Sequence, residues 1–524
     1  MLDFLIINAS VCSGRQEPAR QAAVGIVGDQ IVRFEAGADR PPAQRVIDGT
    51  GMILAPGFID PHASTGLGYF FPNAADHKLY QGITTEIFGN CGTSAAPIGP
   101  HLEANMQQQA DAIGFRYDWK TTAEYFERIA GRLPFNIGML VGHSTLRHGH
   151  MDSWTALKPG QLRTMQCALR QALNEGALGF STGLIYAPGC FAELDELVAL
   201  ARIAGERGGI YASHIRDERN HLEAAVEEAL TISQRTGTRT LISHLKAAER
   251  QNWGKVPKVL QRIEQFNELH PEMPAAIDIY PYTAISTKLR AFIPKQHLQD
   301  GIDKLAQRLR EPAAVQDIAR YIAERNYDLA SMLITSDEHP EYAGRAVADI
   351  AREQQSTRAQ AIADILIKSS ETWVVYHCIS EDDVNAAVLW PHSMICTDSW
   401  SYPVNAPKSI GHPHPRSFGA FTEYLHRYVL ELKALSWESA VHKITQLPAR
   451  LFQLRGRGQI ADGFFADLVL LNPKTLQAQA TYTSPRRLST GVEYLWVNGR
   501  LMIEAREIRR ENPGRVLTLT QDAA

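Results

Sequence analysis

Short apolar segments recur along the middle of this chain, each followed by a stretch patterned for a helix, and that alternation limits the fold more than any other feature. The segments are 57–60, 84–89, 137–141, 178–180, 209–212, 240–242, 276–279 and 394–396. Between them lie helical patterns such as 160–175 and 191–207, the latter with Leu194, Leu197, Leu200 and Ile203 on one face. Strand then helix, repeated about eight times, predicts an α/β architecture, a TIM-like (β/α)8 barrel of parallel strands. Residues 288–345, rich in charges and helix formers, read as an insertion.

The two ends differ from the middle. Leu5–Asn8 and Val24–Val27 are short apolar runs, the second followed by the turn residues Gly28-Asp29. Near the other end, 466–471 stops at Asn472-Pro473, and Tyr494–Val497 runs into Asn498-Gly499, a hairpin signal. The expectation is one composite β-sandwich domain from 1–54 and 456–524, beside a barrel spanning 55–455. Such a domain brings the two termini together.

Composition excludes several classes. The 524 residues carry 53 Lys+Arg against 57 Asp+Glu, a net charge of −4, and no basic stripe, so a nucleic-acid partner is not expected. No run of about 18 apolar residues is present, so a membrane span is not expected either. The first residues, MLDFLIINASVCSG, lack the basic and long apolar regions of a signal peptide. Six cysteines are too sparse for a disulfide scaffold. Together these point to a reducing, cytoplasmic setting and a small-molecule substrate.

In a parallel barrel the chemistry sits where the strands end. Here those ends carry Asp60-Pro61-His62, Gly89-Asn90-Cys91-Gly92, Ser213-His214-Ile215-Arg216, Ser243-His244-Leu245-Lys246 and Thr397-Asp398-Ser399. One thiol, three imidazoles and a carboxylate on one rim are a metal-site inventory, and thiolate with imidazole suits zinc. Lys246 lies two residues past His244. Alternate residues of a strand share a face, so its cation shares the cavity and suits a carboxylate-bearing substrate. Arg416 offers a bidentate fork for the same purpose. His143 ends the third strand and reads as structural, while His412 and His414, bracketing Pro413, receive no ligand role.

These residues resemble a known family. Ala55–His62 resembles the first-strand motif of the amidohydrolase superfamily. Gln81–Gly92, Gly179–Tyr186, Tyr211–Glu218, Ser243–Lys246, Tyr280–Ala284, His414–Gly419 and Gly463–Leu468 resemble the N-acyl-D-amino-acid deacylases, over about 1–505 of the chain. The resemblance implies a TIM-like barrel beside a small β-sandwich. It implies Cys91, His214 and His244 as tight zinc ligands and Asp398 as the catalytic carboxylate. It implies Lys246, Tyr186, Arg416 and one of Tyr280 or Tyr282 as groups holding the substrate carboxylate.

Two positions depart from the pattern. The family's His-x-His is His62-Ala63-Ser64 here, which removes a ligand of the second metal position, so one zinc ion is expected. The family's Ser-Asp-Gly is Thr397-Asp398-Ser399 here. Zinc lowers the pKa of bound water from 15.7 to about 7. A thiolate ligand lessens its Lewis acidity, so a separate base such as Asp398 is useful. The metal, or an imidazole such as His62, then polarises the scissile carbonyl. The expected reaction is hydrolysis of an N-acyl amino acid, of the D series by the resemblance, to a carboxylate and a free amine. The alternatives are a tailoring amidohydrolase acting on a peptide-like or cyclic amide and a metal-poor, non-catalytic relative.

Overall fold

Eight parallel strands form the centre of the molecule: Phe58–Asp60, Ile83–Phe88, Asn136–Gly142, Gly179–Gly183, Ile210–His214, Thr240–Ile242, Ala275–Ile279 and Ser393–Ile395. The computed structural model describes residues 1–34, 41–64, 66–103, 107, 118–335, 339, 341–401, 403–404 and 413–519. Each strand pairs with the next in chain order. Every residue of the eight is buried, as expected of parallel strands covered by helices on one face and filled by side chains on the other. The predicted segments agree with these strands to within a few residues.

The interior is filled by Ile59, Ile87, Leu140, Leu178, Leu241 and Met394. Leu451 and Phe452, at the end of the helix Gln446–Leu451, pack against that cluster, as do Leu517 and Leu519 of the C-terminal tail. Each such side chain contributes on the order of 2 kcal/mol by leaving water. The tail is pinned to the third strand by the Ile137 amide on the Arg515 carbonyl (2.9 Å) and the Leu517 amide on the Ile137 carbonyl (2.7 Å).

The first and eighth strands meet only beyond their ends. Ala63 and Ser399 form a parallel bridge, the Ser64 amide donates to the Ser399 carbonyl at 3.1 Å, and the Asp398 amide donates to the His62 carbonyl at 3.0 Å. The circle therefore closes at the residues expected to carry the chemistry.

The chain ends build one nine-stranded sheet. Its pivot is the strand Leu2–Val11, broken by a bulge between Ile6 and Ala9 where Asn8 takes φ 61°. Its first half pairs with Ala43–Asp48 and its last residues with Ile53–Pro56, so the sheet divides around a core that includes Ile6, Val24, Ile26, Ile47, Leu470 and Trp496. Ile53–Pro56 then pairs antiparallel with Leu468–Leu471, which joins the two ends of the chain.

Between the seventh and eighth strands lies an antiparallel sheet of Ala284–Lys288, Trp373–His377 and Met332–Ile334, with the helices Pro312–Arg325, Val347–Glu353 and Arg358–Lys368. The inserted elements thus run wider than 288–345. Charge and helix-former content over 288–345 takes in the helix Pro312–Arg325 but stops short of the helices Val347–Glu353 and Arg358–Lys368 and overlooks the two flanking strands. Among the described residues no helix is long and apolar enough to cross a membrane, and the six cysteines are all free thiols.

Candidate metal centre and active site

Cys91 sits three residues past the second strand on a turn that only glycine permits. Gly89 has φ 82°, and a Cβ there would lie 2.1 Å from the Leu140 carbonyl oxygen; Gly92 has φ 76° with the Gly183 amide nitrogen 2.7 Å from such an atom. Cys91, His244 and Asp398 themselves adopt φ of 53°, 37° and 43°. Left-handed backbone at non-glycine residues is costly and gathers where function demands it.

The turn delivers the Cys91 sulfur to three rings. Sγ lies 3.5 Å from His214 Nδ1, 3.5 Å from His244 Nε2 and 3.3 Å from His62 Nε2. His62 Nε2 lies 3.4 Å from Asp398 Oδ1. One ligand atom each from His62, Cys91, His244 and Asp398 falls within 4.8 Å of the others.

The donor set fits zinc. Bonds of about 2.3 Å to sulfur and 2.0 Å to nitrogen at a tetrahedral angle separate S and N by about 3.5 Å, which matches both the Cys91–His214 and the Cys91–His244 distances. Burial opposes ionisation of the Cys91 thiol, but His62 and His244 outweigh it and hold the thiol well below its usual range. Asp398 is partly buried, and desolvation opposes its charge too, yet Arg416, with His244 and His62, keeps its carboxylate ionised.

Two carboxylates orient the rings. Asp278 Oδ2 lies 3.2 Å from His62 Nδ1, and its Oδ1 accepts the His244 amide at 2.8 Å. Glu218 Oε1 lies 3.0 Å from His244 Nδ1 and accepts from Lys246 Nζ at 2.5 Å. Such partners fix which ring nitrogen faces a metal. Neither was singled out from sequence, although the signals are present. Asp278 interrupts the otherwise apolar strand Ala275–Ile279, and Glu218 follows His214 by four residues.

The residues expected to hold substrate divide. Lys246 is 3% exposed, paired with Glu218, and 6.0 Å from the centre of the Tyr280 ring. Arg416 opens the helix Arg416–Leu425; its Nη2 lies 2.9 Å from Asp398 Oδ2, its Nε donates to the Asp398 carbonyl at 3.0 Å, and its guanidinium stacks 4.4 Å over Tyr280. Tyr186 packs its ring 4.9 Å from His214 and joins its hydroxyl to Thr287 Oγ1 at 2.9 Å. Tyr280 therefore lies between the two cations. Tyr282 turns away: its ring packs on His414 and Tyr482, and a Cβ on Gly419 would meet its hydroxyl at 3.0 Å. His143 is bound to Glu196 at 2.8 Å, with Arg147 on the same carboxylate. His414 bonds the Ala284 carbonyl at 3.1 Å. His412 lies outside the described residues.

The amidohydrolase family model matches residues 406–503. An N-acyl-D-glutamate deacylase of Alcaligenes xylosoxydans xylosoxydans is 35% identical over 519 residues, covering 98% of this chain and 96% of that protein. The chain belongs to the N-acyl-D-amino-acid deacylase family. A second member of that deacylase family, the D-aminoacylase of the same organism, is 31% identical over 522 residues, 99% of this chain and 98% of the relative. Among solved structures of the family, the N-acyl-D-glutamate deacylase from Bordetella bronchiseptica, complexed with zinc and a phosphonate mimic of the tetrahedral intermediate, superposes with a TM-score of 0.83 at 34% identity, covering 99% of each chain. A D-aminoacylase structure concerned with one-metal activation and second-metal attenuation of a binuclear centre gives 0.81 at 29% identity, over 99% of this chain and 100% of the other.

Proposed function

We propose that this protein is a zinc-dependent deacylase that hydrolyses the amide bond of N-acyl-D-amino acids. The observation that carries the reading is the meeting of the Cys91 sulfur with the His214 and His244 rings at the edge lengths of a zinc tetrahedron, with Asp398 opposite. Cys91, His214 and His244 hold the ion. Bound zinc supplies a water of lowered pKa and polarises a carbonyl. Asp398 takes a proton from the attacking water and returns it to the departing amine, so the C–N bond breaks only as the nitrogen becomes neutral. His62, backed by Asp278, donates to the oxygen on which charge develops. Lys246, Arg416, Tyr280 and Tyr186 receive the substrate carboxylate. Ser64, neutral and a poor zinc ligand, leaves one tightly bound ion.

The test is steady-state hydrolysis by the zinc-loaded protein of N-acetyl derivatives of D- and L-glutamate, aspartate, leucine and methionine, read as free amine released. Turnover of D derivatives in proportion to zinc content is expected. No turnover of any acylated amino acid by zinc-replete protein overturns the reading.

A further inference from the structure

We infer that Lys78 and Thr397 form a buried clamp across the barrel seam whose role is to position Asp398. The inference rests on the reading of Asp398 as the proton carrier.

Lys78 belongs to the short helix Asp76–Leu79 and is 0% exposed. Its ammonium contacts three groups, each tied to a different strand. These are Asp60 Oδ2 at 2.7 Å, at the end of the first strand; Glu86 Oε2 at 2.9 Å, inside the second; and Thr397 Oγ1 at 2.5 Å, two residues past the eighth. Ile59 and Ile87 point into the barrel, so their neighbours Asp60 and Glu86 point outward, behind the wall. The cluster therefore touches none of the expected zinc ligands and meets the active site only through backbone, at the His62 amide, and hydrolysis assigns it no part.

Its geometry bears on the seam. The first and eighth strands lack a continuous ladder, and Asp60 substitutes for one. Its Oδ1 accepts the Thr397 amide at 3.0 Å and the His62 amide at 3.3 Å, and its Oδ2 accepts the Thr397 hydroxyl. Asp398 follows directly, in its left-handed conformation, with its amide on the His62 carbonyl. A residue in that region returns to relaxed backbone unless its neighbours prevent it. The Thr397 hydroxyl is the point where the buried ammonium grips the loop. Thr397 and Lys78 are thus positioning residues acting through Asp398.

The test uses Thr397→Val, which keeps the side-chain shape and leaves Lys78 with both carboxylates, and Thr397→Ser, which restores the hydroxyl. A carboxylate displaced by a fraction of an ångström to an ångström costs roughly 10- to 100-fold. Thr397→Val is expected to lower kcat by that factor, keep KM within about twofold and keep full zinc content, and Thr397→Ser to recover most of the loss. Hydrogen exchange gives a readout independent of turnover: the Thr397 and Asp398 amides lose protection in the valine variant and regain it in the serine variant. Wild-type kcat or unchanged protection in Thr397→Val overturns the clamp, as does loss of zinc in step with kcat or failure of Thr397→Ser to recover. If wild-type protein hydrolyses no acylated amino acid, the functional reading fails while the exchange experiment still decides the clamp.

Discussion

Replacing Asp398 with asparagine removes a proton acceptor while leaving nearly everything else in place. The asparagine oxygen can still accept from Arg416, which lies 2.9 Å from the carboxylate. The Arg416 bond to the residue 398 carbonyl and the residue 398 amide bond to His62 are backbone contacts and persist. The loop therefore stays where it is, and the expected zinc ligands Cys91, His214 and His244 are untouched. The loss of general base and acid is worth about 10²- to 10⁴-fold in kcat, or about 3–5 kcal/mol of barrier at 1.36 kcal/mol per tenfold. Substrate binding should move the other way. Arg416, no longer neutralised by a carboxylate, attracts the substrate carboxylate more strongly, and KM holds or falls. The assay is steady-state hydrolysis of N-acetyl-D-glutamate with zinc per chain measured by mass spectrometry on the same preparation. A variant that retains more than a tenth of wild-type kcat at full zinc content refutes the proton-carrier role. One that loses zinc in parallel with activity shows Asp398 to be a ligand.

Cys91→Ala should lose zinc and hydrolysis together, because it removes the sulfur that lies 3.5 Å from both the His214 and the His244 rings, while burial and nearby carboxylates keep the Cys396 thiol beside His62 and Asp278 protonated; metal analysis after dialysis decides it. Ser64→His restores the family's paired histidines and should raise zinc from one to two per chain, and a stoichiometry that stays at one contradicts the account of that position. Lys443 is buried in the helix Trp437–Ile444 with its amine on the Trp390 carbonyl, and burial pulls its pKa from 10.5 to about 7. The unfolded chain binds this proton up to about pH 10.5 and the folded chain releases it near 7, so stability rises with pH between the two. The cost at pH 7 is on the order of 4 kcal/mol. Lys443→Met should recover most of it at pH 7, less about 1 kcal/mol for the orphaned carbonyl, and nothing near pH 10.5. Urea unfolding at the two pH values is the check, and an equal effect at both refutes it.

The strands were legible because each is a short apolar run that stops at polar residues, and the same punctuation exposed Cys91, His214, His244 and Asp398. What stayed hidden is what local pattern does not encode. The backbone of Cys91, His244 and Asp398 is left-handed against residue preference, since surrounding bonds override it. Lys78 meets Thr397 across 319 residues of chain, and no periodicity reports such a pairing. Arg416 could be read as a carboxylate fork, yet nothing in its neighbours indicates that Asp398 already occupies it. The strands Ala284–Lys288 and Trp373–His377 were missed because each gains its identity from the other.

Closure of the ring beyond the first and eighth strands has a consequence for how the protein fails. The sulfur and the two imidazoles expected to hold zinc hang from the second, fifth and sixth strands, well inside the continuous ladder. His62 and Asp398 face each other across the one gap in it. A fluctuation that parts the cylinder there separates acid–base chemistry from metal retention. On the proposed roles the damaged molecule should keep its ion while losing catalysis, so mild stress is expected to abolish turnover before metal escapes.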